Sequence, residues 1–167
     1  MGIGIYEPLG GVELEWNAPT LPVGFVTGHV VIGKDGKIYR LVKNALGSAA
    51  TLRLAYFLRV NSTSGELELK AAGDDASAGA VCIPQFDNIP NGNYAWVGTG
   101  GLLNATSAAA IAANAQISLS TTDGKLDDAA ITGKTLNAFH SDSAAVSAAD
   151  ANIRIFCPGE LVYQASN

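Results

Sequence analysis

The chain has 167 residues and a mass of 17.1 kDa, enough for one compact domain with a sizeable core. Only 15% of the residues are charged and 27 alanines and 19 glycines supply the bulk of the small side chains, so few fixed charges hold like molecules apart and assembly into something larger is expected. The net charge of -5 argues against nucleic acid as a partner, and no apolar run reaches the roughly 18 residues of a membrane helix, so no membrane partner is expected either.

From the start of the chain, Met1-Gly2-Ile3-Gly4-Ile5-Tyr6-Glu7 has no basic residue ahead of an apolar run, which predicts no secretory signal and synthesis in the cytoplasm. Pro8, Gly10-Gly11, Pro19 and Pro22 punctuate residues 1–24, which read as an extended N-terminal arm around one short alternating stretch, Val12 to Trp16. Its apolar residues Ile3, Ile5, Tyr6, Leu9 and Trp16 are expected to lie on a neighbouring subunit. Residues 25–167 then form a single β-rich domain.

A hairpin is predicted from His29-Val30-Val31-Ile32 and Ile38-Tyr39-Arg40-Leu41-Val42, joined at Asp35-Gly36 as a two-residue turn. Leu52–Val60 and the alternating Glu66–Lys70, around Asn61-Ser62-Thr63-Ser64-Gly65, predict a second hairpin. Val81–Ile89 contains Pro84 and reads as an irregular or edge strand. After the turn Pro90-Asn91-Gly92-Asn93, the strand Tyr94-Ala95-Trp96-Val97 places two aromatics on one face and is expected to end at Gly98-Thr99-Gly100-Gly101. Residues 102–115 are alanine-rich and read equally as helix or as extended chain and loop. Gln116–Ser120 alternates, the turn Thr122-Asp123-Gly124-Lys125 follows, and short strands and loops lead to one or two closing strands from Ile153. The total is about nine to eleven short strands with at most one short helix, the pattern of a small β-barrel or sandwich.

Chemistry is sparse. His29 and His140 stand outside any metal-ligand spacing, no Gly-x-Ser-x-Gly elbow accompanies the serines, and the glycine run at 98–101 lacks the Lys-Ser/Thr of a phosphate loop. Asp123, Asp127 and Asp128 depart from a calcium loop because Lys125 stands among them. Cys82 and Cys157, each in an apolar strand-like setting, read as buried thiols. No enzyme activity, cofactor or metal is expected. Charge is more informative: residues 34–70 hold seven basic residues against three acidic ones, and residues 71–167 hold three against nine. Lys34, Lys37 and Arg40 on the first hairpin are therefore candidate contacts to an acidic partner surface.

The second half resembles a known family. Gly79-Ala80-Val81-Cys82-Ile83 followed by Asn91-Gly92-Asn93-Tyr94-Ala95-Trp96-Val97-Gly98-Thr99-Gly100-Gly101 resembles the strand pair "Gly-x-Ala, turn, Gly-x-Tyr-x-Trp-Val" of tailed-bacteriophage capsid decoration (cement) proteins. Gln116–Ser120, Gly124-Lys125-Leu126-Asp127-Asp128-Ala129 and Gly133-Lys134-Thr135-Leu136 are similar to the same family's "Gly-x-x-Asp-Asp-Ala, Gly-x-x-Leu-Gly" stretch, with Asn137 where those chains often carry glycine. Ile153-Arg154-Ile155-Phe156 fits its last strand. The similarity spans roughly residues 28 to 165 and is concentrated from residue 79 onward. It implies a β-rich virion protein, often a homotrimer, seated on the major capsid protein at the outer surface of an icosahedral shell, and it transfers no active-site residues. Tyr94, Trp96 and Phe156 are then expected as core anchors. The competing expectation is a host-surface or carbohydrate-binding module in which Tyr94 and Trp96 form a stacking platform.

Overall fold

The structure is a computed structural model that describes residues 13–71, 80–120, 124–130, 135–144 and 152–158, the last stretch as backbone alone. The described residues form β1 (Asn17–Ala18), β2 (Val30–Ile32), β3 (Ile38–Lys43), β4 (Tyr56–Val60), β5 (Leu67–Lys70), β6 (Ala80–Cys82), β7 (Tyr94–Thr106), β8 (Gln116–Leu119), β9 (Leu126–Asp127), β10 (Thr135–Ser141) and β11 (Asn152–Pro158), with no helix among them. The fold is mainly β and sandwich-like. Its ladder runs β6-β4-β5-β3-β7-β11-β10-β8-β9, with β1 added to β7 and β2 to β3. A bridge between Ile83 and Gly98 ties the chain after β6 back to β7, so the ladder curls over on itself without closing into a barrel.

The organising strand is β7. Its first half pairs with β1 and β3 and its second half with β11, all antiparallel. The glycines at 98–101 do not end it, contrary to the sequence expectation. Tyr39 pairs with Gly98 while Ile38 pairs with Gly100, so Thr99 is an extra residue, a bulge that bends the strand and lets it continue. Gly98 is needed there because a Cβ would stand 2.7 Å from Leu103 Cδ2 and 3.2 Å from the Ile83 carbonyl. Residues 102–106 are the second half of β7, and 107–115 are bridges, bends and turns. Extended pairing wins over helix here because it buries Leu103 and Ala105 against Ile117, Leu119 and Phe139, whereas an isolated alanine helix has little to bury.

Two other expectations change in detail. The first hairpin closes through Gly33 N–H donating to the Lys37 carbonyl and Gly36 N–H donating to the Gly33 carbonyl, so its loop has three residues rather than two. Gly36 has φ +75° and Asp35 does not share it, as expected of a type I turn followed by a left-handed residue. In the second hairpin the strand begins at Tyr56, because residues 51–54 turn (Leu54 N–H to the Thr51 carbonyl) and Arg53 adopts φ +64°.

Alternation along β3 and β7 separates two packing layers. Val42, Ala95 and Val97 face one cluster with Tyr56, Leu58, Leu69, Cys82 and Ile89. Tyr39, Leu41 and Trp96 face the other way. That second face is roofed by Leu14, Trp16 and Leu21, from the segment that the sequence presents as an extended arm, and by Phe25, which follows it. From residue 14, then, the proline-punctuated chain is the cover of its own sheet, pinned by pairing of Asn17–Ala18 with Tyr94–Ala95.

Candidate functional site

The basic hairpin is built as follows. Lys34 is exposed at the tip, and Lys37 ion-pairs with Asp35 at 3.2 Å. Asp35 also accepts from the Lys37 backbone N–H at 3.1 Å and from the Tyr39 hydroxyl at 2.9 Å. Burial alone raises the Asp35 pKa, but these donors together outweigh it and hold the carboxyl below its ordinary value. Burial, then the hydrogen bond to Asp35, push the Tyr39 hydroxyl upward, so it stays a donor. Arg40 is half-buried on β3 opposite Val30. No ion pair among the described residues involves Lys34 or Arg40.

A second polar group joins residues far apart in sequence. Lys43 at the end of β3 donates to Glu66 Oε2 at 2.7 Å, and the Tyr94 hydroxyl donates to Glu66 Oε1 at 2.5 Å. The Lys43 ammonium lies 5.3 Å from the centroid of the Tyr94 ring. The hydrogen bond from Lys43, then that from Tyr94, hold the Glu66 carboxyl below the ordinary carboxylate range, and the same bond raises Lys43. Sequence reading missed this trio because it depends on the parallel contact between Lys43 and Glu68, which no local pattern announces. Tyr94 is accordingly half-buried, its ring against the Trp96 cluster and its hydroxyl on Glu66, and is less a core anchor than a link between layers.

Trp96 itself is only 4% exposed and meets Phe25 edge-to-face at 6.0 Å and 87°. It cannot present a stacking face to a ligand while residues 14–25 lie over it. Trp16, expected on a neighbour, lies against this same cluster in its own chain. Phe156 sits on β11 opposite Leu102 and His140, with its side chain outside the described residues. Ile3, Ile5, Tyr6 and Leu9, and the side chain of Cys157, also lie outside the described residues.

Exposed large hydrophobics gather along one rim that the sequence reading did not single out. Val23 (99% exposed), Val26, Val30 and Ile32 precede and form β2, and Val60 ends β4. The Leu67 N–H donates to Thr27 Oγ1 at 2.8 Å, and Leu67 pairs with Val60, so the Val60 end of the second hairpin adjoins the Val26 end of this run. Such a rim beside Lys34, Arg40 and Arg59 is suited to protein contact. Among the described residues, no group of three or more His, Cys, Asp or Glu is placed to hold a metal, and no helix is long and apolar enough to cross a membrane. No protein-family model matches the chain, and no curated protein matches it.

Proposed function

We propose that the protein is a non-enzymatic decoration (cement) component of a bacteriophage virion, which binds the major capsid protein on the outside of an icosahedral shell and stabilises it. The observation that carries this reading is the sequence resemblance from residue 79 onward, joined to the part its residues play in the fold. The Ala80–Ile83 and Tyr94–Val97 motifs supply β6 and the start of β7, the strand around which the sheet is organised, and Leu119, Leu126 and Leu136 are core residues. The apolar rim and the cations beside it support a role in protein contact. A decoration protein stabilises the assembled lattice because it binds that state and not the separate subunits.

The test compares shells with and without the protein. Undecorated shells are expected to assemble and to rupture at lower temperature, with the purified protein restoring the resistance when added back. Equal rupture temperatures in both preparations remove the cementing role. A host-surface or carbohydrate-binding module is the second reading, and the burial of Trp96 beneath Phe25 weighs against the stacking platform it requires.

A further inference from the structure

Among the described residues, none pairs with the outer edge of β2. Among those residues β2 pairs with β3 alone, through Val30–Arg40, Val31–Tyr39 and Ile32–Ile38. Hydrogen bonds from Gly33 N–H to the Lys37 carbonyl and from Leu41 N–H to the His29 carbonyl fix the phase of the ladder. Bonded pairs alternate in an antiparallel ladder, so residues 29, 31 and 33 turn their backbone groups toward β3. The N–H and C=O of Val30 and Ile32 therefore project from the free edge. The side chains of these two residues are 50% and 74% exposed, on the face opposite Val31, which packs on the Tyr39–Leu41–Trp96 cluster.

We propose that this edge is a two-fold self-association surface on which β2 pairs antiparallel with β2 of a second copy of the chain, centred on Val31. In that register each Val30 faces Ile32 of the second copy. Each Val30 N–H donates to an Ile32 carbonyl, each Ile32 N–H donates to a Val30 carbonyl, and the four bonds use every outward group of both strands. The same register places Lys34 opposite Gly28 and Asp35 opposite Thr27, so no like charges confront one another. The two Val30–Ile32 pairs then lie side by side as one apolar patch. Free edges are normally guarded by shortness, a charge, a proline or a bulge; β2 is short at three residues, and Val30-Val31-Ile32 carries no charge, proline or bulge. A second copy fits this edge in length, register and apolar face, and the contact is separate from whatever surface meets a shell.

The experiment uses the full chain without shells. Sedimentation over micromolar to hundred-micromolar concentrations is expected to show reversible association that V30K/I32K abolishes, halving the limiting mass while near-ultraviolet circular dichroism remains that of the folded protein. In a C82A/C157S background, chains carrying V30C mixed with chains carrying I32C are expected to oxidise to a mixed disulfide dimer, with little product from either chain alone. An unchanged mass for V30K/I32K overturns the proposal, as does cross-linking no greater in the mixture than in the separate chains. Cross-linking that appears only after residues 1–12 are deleted also overturns it and assigns the edge to the chain's own N-terminal segment. Should the cysteine background fail to fold, the sedimentation comparison decides alone.

Discussion

Replacing Trp96 by alanine tests the layer arrangement most directly. A tryptophan buries roughly 150–250 Å² in a core, and at about 25 cal/mol per Å² its removal forfeits about 4–6 kcal/mol before alanine's own burial is credited. The edge-to-face contact with Phe25 adds about 0.5–1.5 kcal/mol, and the cavity under residues 14–25 can partly collapse because its roof is an irregular segment. The expected loss is therefore about 3–5 kcal/mol, a large share of the 5–15 kcal/mol typical of a domain. With a urea slope of about 2 kcal/mol per M, the unfolding midpoint falls by about 2 M. Trp16 and Trp96 are the two tryptophans, so W16F leaves Trp96 as the sole indole reporter, and its emission is expected to be that of a dry site. A W96A midpoint within about 0.5 kcal/mol of the parent would refute the reasoning, because that is the range of an exposed side chain.

Three further outcomes are expected. Glu66 has a depressed folded pKa, so its contribution is complete above about pH 4.3, the unfolded value, and is lost as pH falls through the folded one; melting curves of E66Q and the parent, separated by about 0.5–1 kcal/mol near neutrality, should converge in acid. Gly124→Ala should cost more than about 1–3 kcal/mol in denaturant titration, since Gly124 has φ +76° and an added Cβ would collide with the Ala55 carbonyl oxygen. Deleting residues 1–24 should lower the unfolding free energy by about 2 kcal/mol or more in denaturant titration by stripping Leu14, Trp16 and Leu21 from the Trp96 face, so shell-binding assays of an arm deletion need a folding control.

Local patterns carried much of the architecture. Asp35-Gly36, Asn61–Gly65 and Asn91-Gly92 mark turns because few residues reach the required backbone angles or cap them, and the structure bends at all three. Alternation in Glu66–Lys70 and Gln116–Ser120 likewise marked β5 and β8. The glycines of 98–101 misled because a bulge and a strand end use the same residue, and only the neighbour that Gly98 must admit, Leu103, separates them. The roof over Trp96 was hidden for another reason: Pro19 and Pro22 forbid ladder donation but do not prevent Leu21 and Phe25 from packing. The rim from Val23 to Ile32 reads as ordinary strand sequence, and its exposure follows only from where the sheet stops. The Lys43–Glu66–Tyr94 trio needs three strands in place before it exists.

β11 is the last of the described strands in chain order yet lies between β7 and β10. Until it docks, residues 100–106 of β7 and the facing edge of β10 lack their ladder partner, and the β8–β9–β10 unit has no strand joining it to the β3–β7 unit. Completion of the sheet thus waits on a pairing between residues about fifty positions apart, with a large loop-closure cost. During synthesis the nascent protein holds two open strand edges until residues 152–158 leave the ribosome, and that interval exposes it to mispairing with other chains.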